Sequence, residues 1–393
     1  TAVALGLALI IILSGWIAGA LDNSLQSNIR LITSHLQIRA ASYKEEKLSL
    51  LWQDLVENPQ AIADKARGLS EVETATPVLW ASGVLNTIQE SSGLRVTGIE
   101  PDSSFYDPIR EGLVAGEFLT ADDRGQILIG QRLANEMDIG VGQRVSLAIG
   151  NPDGQPEEGI FTVKGLINTG FPGLDDGTLF MPLAQAQAFT GAGDRASAIM
   201  IMLHNQDDVD QVAAALANPD YTILTWEDLN SVTLQTIQTG LSFYYILYAI
   251  VILVVAVVIA NTLLMAVIAN TLLMAVFERT REMGILAALG MKGRQIMLMF
   301  LFEAAILALV GIAIGIIIGS AGVAYLAKVG VFIGEDTAAM VQGMALGSTM
   351  YAKYSPTDVI SLSLWMLSIV LLVSVYPAWY AARLEPVEAL QAL

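Results

Sequence analysis

Three pairs of adjacent acids, Asp122/Asp123, Asp175/Asp176 and Asp207/Asp208, are the residues most easily imagined holding a divalent cation. None has the spaced oxygen donors of a calcium loop, so all three pairs are expected as solvated loop charge. His35, in TSHLQI, has no second histidine near it. With two histidines and no cysteine in the chain, imidazole-rich and thiolate metal sites and disulfides are excluded. No GxxxxGK[ST] loop is present, so the usual phosphate cradle for ATP is missing too. Nothing clusters as nucleophile, base and acid, which argues against an enzyme working alone. What stands out is a charged stretch at 277–295, FERTREMGILAALGMKGRQ, between two of the longest apolar runs. Holding its basic side chains in hydrocarbon would cost several kcal/mol, so it must lie in water at a bilayer face. Arg279, Arg281, Lys292 and Arg294 outnumber Glu278 and Glu282, which places that face in the cytoplasm. Met283, Leu286 and Leu289, at i, i+3 and i+6, give the stretch an apolar edge suited to a groove, and Gly290 ends its helix. A merely solvated loop would not need such an edge.

The elements that present this stretch follow from composition. The chain has 393 residues, 54% hydrophobic and 15% charged, with a mean hydropathy of +0.57. That is too apolar for an ordinary soluble protein. A net charge of −18 also argues against nucleic acid as a partner. Ala2 to Ala20 carries no charge and is long enough to cross a bilayer core. Residues 1–22 therefore read as a first span rather than a cleaved signal peptide, with a cytoplasmic leader expected before Thr1. Leu21, Leu25, Ile29, Ile32 and Leu36 continue at helical spacing, which predicts a stalk that leaves the membrane.

Residues 23–239 read as a large extracytoplasmic domain with helical stalks. From Asp22 to Gly240 there are 30 acids against 13 bases, and a long acidic domain is translocated whatever its charge. Its texture is α/β. Strands are predicted at Val96–Ile99, Gln126–Ile129, Arg144–Ala148, Ile160–Leu166, Thr178–Met181, Ala198–Leu203 and Tyr221–Leu224. Helices are predicted at Ser49–Leu69 with a break at Pro59, at Gly130–Met137, at Leu183–Phe189, and at Gln206–Ala217 capped by Asn205.

A second span covers 240–276. Inside it IANTLLMAV occurs twice in tandem, at 259–267 and 268–276, too short a unit for a solenoid. The third span, 296–327, carries Gly311, Gly315 and Gly319 as a stripe for close helix approach. It also holds Glu303, expected to pair with Arg294 near the cytoplasmic interface. An outer loop at 328–357 leads to a fourth span at 358–377, broken at Tyr376-Pro377, and a cytoplasmic tail at 378–393.

ERTREMGILAALGMKGRQIMLMFLFEAAILALVGIAIGIIIG, followed by PAWYAARLEPVEAL, resembles the signature of MacB/FtsX-like (type VII) bacterial ABC transporter permeases. SHLQI, GQRLANEMDIGVGQRV, FTVKGLINTG and MPLAQAQAF resemble the branch containing the lipoprotein-releasing LolC and LolE subunits. The resemblance implies a membrane protein of four transmembrane α-helices, with a large α/β domain like the MacB periplasmic core inserted between helices 1 and 2. It implies the bacterial inner membrane, a homo- or heterodimer of permeases among membrane lipids, and two copies of a separate cytoplasmic ABC ATPase. ATP and magnesium would be bound by that partner, so no cofactor is expected in this chain. Residues 277–295 would be the coupling loop. Glu278, Arg279, Glu282, Gly284, Ile285, Leu286, Ala288, Leu289 and Gly290 fall on the family motif, and Arg281 and Met283 join them by charge and by the apolar edge. The function implied is ATP-driven extraction or export of a hydrophobic or lipidated substrate such as a lipoprotein. An apolar cleft between the first and second spans, lined by residues such as Leu247, Ile250 and Val254, would mark it. The alternative is a mechanotransmitting subunit that activates a cell-wall hydrolase or efflux adaptor without moving substrate.

Overall fold

The computed structural model describes residues 2–44, 47–151, 155–239, 246, 248–250, 252–254, 257, 291–334 and 349–381. The chain divides into two units. One comprises Thr1–Asp22, Ile237–Val331 and Met350–Leu393, the other Asn23–Thr236 and Phe332–Thr349.

The larger unit is built on one long strand. β1 (Leu36–Ala40) is followed by helix α2 (Pro59–Arg67), and then β2 runs fifteen residues from Val72 to Asn86. Its first half pairs with β9 (Ala198–Leu203), which pairs with β1, which pairs with β10 (Tyr221–Thr225), all antiparallel. Its second half turns into a closed ring of strands. From β2 the ring passes through β3 (Ser91–Ile99), β8 (Thr178–Pro182), β5 (Gln126–Gly130), β7 (Pro156–Ile167) and β6 (Arg144–Gly150), and returns to β2. β4 (Leu113–Gly116) pairs with β7 outside the ring. Two short helices, α3 (Asp107–Glu111) and α5 (Pro172–Asp175), lie in the connections before β4 and β8.

Alternation decides which side chains fill the ring. Leu79, Ala81 and Leu85 of β2, Val96 of β3, and Leu179 and Met181 of β8 pack inside with Ile127, Val145 and Phe161. Val78, Trp80, Ile99, Leu128 and Phe180 face the other way into a second cluster with Phe105, Tyr106 and Met200. Both faces of β8 are therefore buried, and the strand reads as a continuous apolar run. A third cluster lies under α2 and α7 (Val209–Leu216), where Leu36, Ile38, Ile199 and Ile201 meet Ala63, Ala66 and Val212.

All seven predicted strands are present, as are α4 (Gln131–Glu136) and α6 (Leu183–Thr190). The predicted Gln206–Ala217 helix is a turn of 3-10 helix at Gln206–Asp208 running into α7, and the Asn205 side chain accepts from the Asp207 amide. Two helix expectations fail here. Pro59 does not break a helix; it opens α2, where its missing N–H and fixed φ suit the first turn. The stalk helix does not reach Leu36: α1 (Ala2–Asn28) gives way to one π-helical turn at Ile29–Thr33, and Leu36 already belongs to β1.

Three helices among the described residues are long and apolar enough to cross a membrane: Val3–Thr33, Gly293–Val329 and Pro356–Tyr376. The second is α9 (Gly293–Val329) and the third lies within α10 (Pro356–Ala381). α10 runs through Pro377 instead of breaking there. Proline forfeits a single i→i−4 hydrogen bond, and the turns on either side hold the helix. Arg294 and Glu303 do not pair. They stand nine residues apart on one continuous helix, about 13.5 Å along its axis. The IANTLLMAV repeat lies outside the described residues.

Candidate functional site at the stalk junction and the membrane helices

Where α1 gives way to the sheet, the chain is tied by side chains rather than by regular structure. The Asn28 amide donates to Asn230 Oδ1. Asn230, 1% exposed, uses its own Nδ2 on Thr33 Oγ1 at 3.1 Å and on the Trp226 carbonyl at 2.7 Å. Gln37 Nε2 donates to the Thr33 carbonyl at 2.7 Å. Ser34 is fully buried with φ 58° and ψ −179°, and its hydroxyl lies 2.5 Å from the Thr33 carbonyl and 2.7 Å from that of Leu36.

His35 Nδ1 accepts from the Leu203 amide at 3.0 Å, and the His35 carbonyl accepts from Trp226 N at 2.9 Å. An imidazole nitrogen that accepts from an amide is unprotonated, so this ring is neutral. Burial pushes its pKa below the ordinary value; the nearby Glu73 opposes this and is outweighed, while Arg30 adds to it. Trp226 opens α8 (Trp226–Leu229), which Thr225 and Asp228 close with a capping box, and 231–239 continue as helix. The outgoing helix, the returning helix and strand β9 thus meet in one buried polar knot.

In the membrane unit the predicted glycine stripe is a contact between α1 and α9. A Cβ on Gly315 would stand 2.9 Å from the Ala4 carbonyl oxygen, one on Gly311 3.1 Å from Val3 Cβ, and one on Gly319 2.9 Å from Ile11 Cβ. At Gly315 and Gly319 something would have to shift to admit a methyl, and at Gly311 the contact would be tight. Further along α1 a Cβ on Gly19 would overlap the Tyr351 carbonyl oxygen at 2.0 Å, and Lys353 Nζ pairs with Asp22 at 2.7 Å.

Of the predicted cleft, Ile250 and Val254 are helical and more than half exposed, whereas Tyr248 and Ile252 pack toward the bundle. Leu247 lies outside the described residues. So do all the coupling residues: Glu278, Arg279, Arg281, Glu282, Met283, Gly284, Ile285, Leu286, Ala288, Leu289 and Gly290.

The acid pairs are not all the solvated loop charge expected of them: Asp123 and Asp175 are tied into the fold, and no group of three or more potential ligands occurs among the described residues. Asp123 pairs with Lys164 at 2.8 Å and accepts from the Thr120 amide. Burial raises its pKa, but the Lys164 and Thr120 hydrogen bonds outweigh that and leave it below the ordinary value. Asp175 is buried, which pushes its carboxyl up. The Thr169 amide and hydroxyl and the Phe171 amide donate to it and only partly offset the shift.

Sequence reasoning missed the polar knot. The residues Asn28, Ser34 and Asn230 are ordinary in type, and Asn28 and Asn230 lie 202 positions apart. The only local signal was a run of small polar residues, Thr33-Ser34-His35, interrupting the stalk.

A family profile described as MacB-like periplasmic core domain matches residues 1–218, and one described as FtsX-like permease C-terminal matches residues 245–386. The chain belongs to the MacB/FtsX-like (type VII) ABC transporter permeases; it is a permease subunit, a membrane protein with an extracytoplasmic domain. Within that family it lies near the LolC/LolE branch. The lipoprotein-releasing system transmembrane protein LolE of Haemophilus influenzae is 24% identical over 421 aligned positions, covering 99% of this chain and 92% of that protein. LolC of Xylella fastidiosa (strain Temecula1) is 25% identical over 278 positions, covering 67% of this chain; the chain spans only 64% of LolC's length. The crystal structure of the periplasmic region of MacB from Actinobacillus actinomycetemcomitans aligns with 53% of this chain and 96% of its own, at 16% identity and a TM-score of 0.36. Permease subunits of this family are not themselves ATPases.

Proposed function

We propose that this chain is the permease subunit of an inner-membrane ABC transporter that extracts or exports a hydrophobic or lipidated substrate such as a lipoprotein. A separate ATPase, present in two copies, binds ATP and magnesium and draws together the cytoplasmic loops at 277–295 of a homo- or heterodimer of permeases. Each chain spans the membrane four times, with the outer domain inserted between the first and second spans. Leu247, Ile250 and Val254 then face an apolar cleft toward the outer leaflet.

The observation that supports this reading best is the knot at the end of α1. Asn28 and Thr33 on one side and Asn230 on the other join the outgoing and returning helices to strand β1. A displacement of either helix would reach the sheet without being dissipated in a flexible linker. The names of the curated relatives supply the substrate class.

The test is charge reversal in the coupling loop. Arg279→Glu with Arg281→Glu, in the complex with its ATPase in nanodiscs, should leave basal hydrolysis intact and abolish its stimulation by substrate. Unchanged stimulated turnover would remove the coupling role. Loss of stimulation in an assembly that activates a hydrolase or adaptor while releasing no membrane substrate would replace transport with signalling.

A further inference from the structure

A cavity of about 290 Å³ opens in the outer domain between the π turn and the sheet face that carries Trp80. Leu31, Ile32, Trp80, Phe105, Phe180 and Met200 supply its larger apolar side chains; the last four belong to one hydrophobic cluster, and Leu31 and Ile32 pack against it. Arg95, Thr97, Tyr106 and Thr178 interrupt the wall with polar groups. Arg95 lies with its guanidinium carbon 5.9 Å from the Trp80 ring centroid, partly exposed. It has no carboxylate partner among the described residues, in a domain with more than twice as many acids as bases. Tyr106, which also lines the cavity, has a buried hydroxyl with no hydrogen-bond partner among the described residues.

We propose that this cavity binds one alkyl chain of an anionic amphiphile, with the chain among Trp80, Phe105, Phe180 and Met200 and a carboxylate or phosphate head on Arg95. Arg39 lies nearer the same ring, at 5.3 Å, and Arg95, with no carboxylate partner among the described residues, keeps guanidinium N–H donors for a planar or tetrahedral anion. The space holds roughly ten water-sized groups, which suits a single chain and not a pair. Water alone would leave the apolar part of the wall, Trp80, Phe105, Phe180 and Met200 among it, as hydrated hydrocarbon, whereas an alkyl chain covers it. The ligand is either a free fatty acid or one chain of a bilayer phospholipid, and both present the same chemistry. Leu31 and Ile32 sit in the turn that follows α1, so occupancy of the cavity bears on the stalk junction itself. The inference does not depend on coupling to an ATPase.

The test uses the full chain in phosphatidylcholine nanodiscs with a photoreactive diazirine at the chain terminus of one of two probes, palmitate or phosphatidylglycerol. Labelled peptides are identified by mass spectrometry. The expected labels fall on the peptides carrying Phe105-Tyr106 or Leu174 to Phe180, from palmitate if the source is a free acid and from phosphatidylglycerol if it is the bilayer. Unlabelled palmitate should compete and a neutral alkyl maltoside should not. Arg95→Gln should reduce labelling about tenfold, the loss expected for one charge-assisted hydrogen bond.

Gly173→Leu should block labelling. A Cβ there meets only the Phe171 ring at 3.7 Å, so the new side chain enters the cavity without moving backbone. If that variant misfolds, Gly177→Leu fills the same space, its Cβ meeting nothing nearer than the Gly173 carbonyl oxygen at 3.5 Å. Labels confined to the membrane helices with both probes, or labels undiminished in folded cavity-filling variants, overturn the proposal.

Discussion

Ser34 sits at φ 58° with no exposed surface, in a backbone region that only glycine enters freely, at a cost of about 1–3 kcal/mol. Its neighbours keep it there. The Ile29 carbonyl accepts the Ser34 amide at 2.7 Å, and the next residue, His35, is fixed by Leu203 and Trp226. The His35 bond holds only while the imidazole is neutral. Because its folded pKa lies below the unfolded value of about 6.5, the unfolded chain takes the proton first as pH falls. The stability this residue contributes is therefore complete above about pH 6.5 and is lost below it as pH approaches the depressed folded value. In thermal melts of the full chain between pH 7.5 and 5, wild type should lose more stability than His35→Asn. The carboxamide oxygen of that variant replaces the imidazole acceptor and cannot be protonated. Parallel pH profiles for the two proteins would show that His35 does not titrate against folding.

The contact between α1 and α9 depends on three missing methyl groups. A methyl on Gly315 would lie 2.9 Å from a main-chain oxygen of Ala4, which cannot rotate away as a side chain can. Gly315→Ala should therefore part the helices and cost about 1–3 kcal/mol, as overpacking does elsewhere, read as a lower melting temperature of the chain in detergent. Gly140→Ala, where a Cβ meets nothing within 4 Å, serves as the unaffected control. The stripe was legible because Gly311, Gly315 and Gly319 repeat at helical spacing. The strands that pack one face on the core, such as β6 with its alternating burial, were legible for the same kind of reason. β2 was not. Seven consecutive buried residues, Ala75–Ala81, erase its alternation, and Pro77 lies within its paired length. The end of the stalk was also misread, because Leu36 satisfies the helical spacing of Leu21 to Ile32 and, with Ile38, the two-residue spacing of β1 equally well. The cavity beside Trp80 had no local signal at all, since its walls come from strands paired across more than a hundred residues.

Across the whole molecule, the proposed orientation rests on acid in the outer domain and base in the stretch at 277–295, and α1 leads from an apolar span through one π turn to β1. At 27 residues it is about 40 Å long, more than the roughly 30 Å of a bilayer core, which is length enough for its last turns, up to Asn28, to lie outside hydrocarbon. If force travels through this helix, the knot has to stay closed through the cycle. The chain contains no cysteine, so Asn28→Cys with Asn230→Cys gives a single addressable pair. Joined by a short thiol-specific cross-linker, that pair should sustain substrate release at least as well as the unlinked double mutant. Asn230→Leu, which deletes the bonds to Asn28, Thr33 and Trp226 without replacing them, should retain basal ATPase activity in the complex but lose most release. Inhibition by the cross-linker, reversed when a cleavable version is cut, would mean that the two helices must separate during the cycle, and rigid transmission would give way to a gate at this junction.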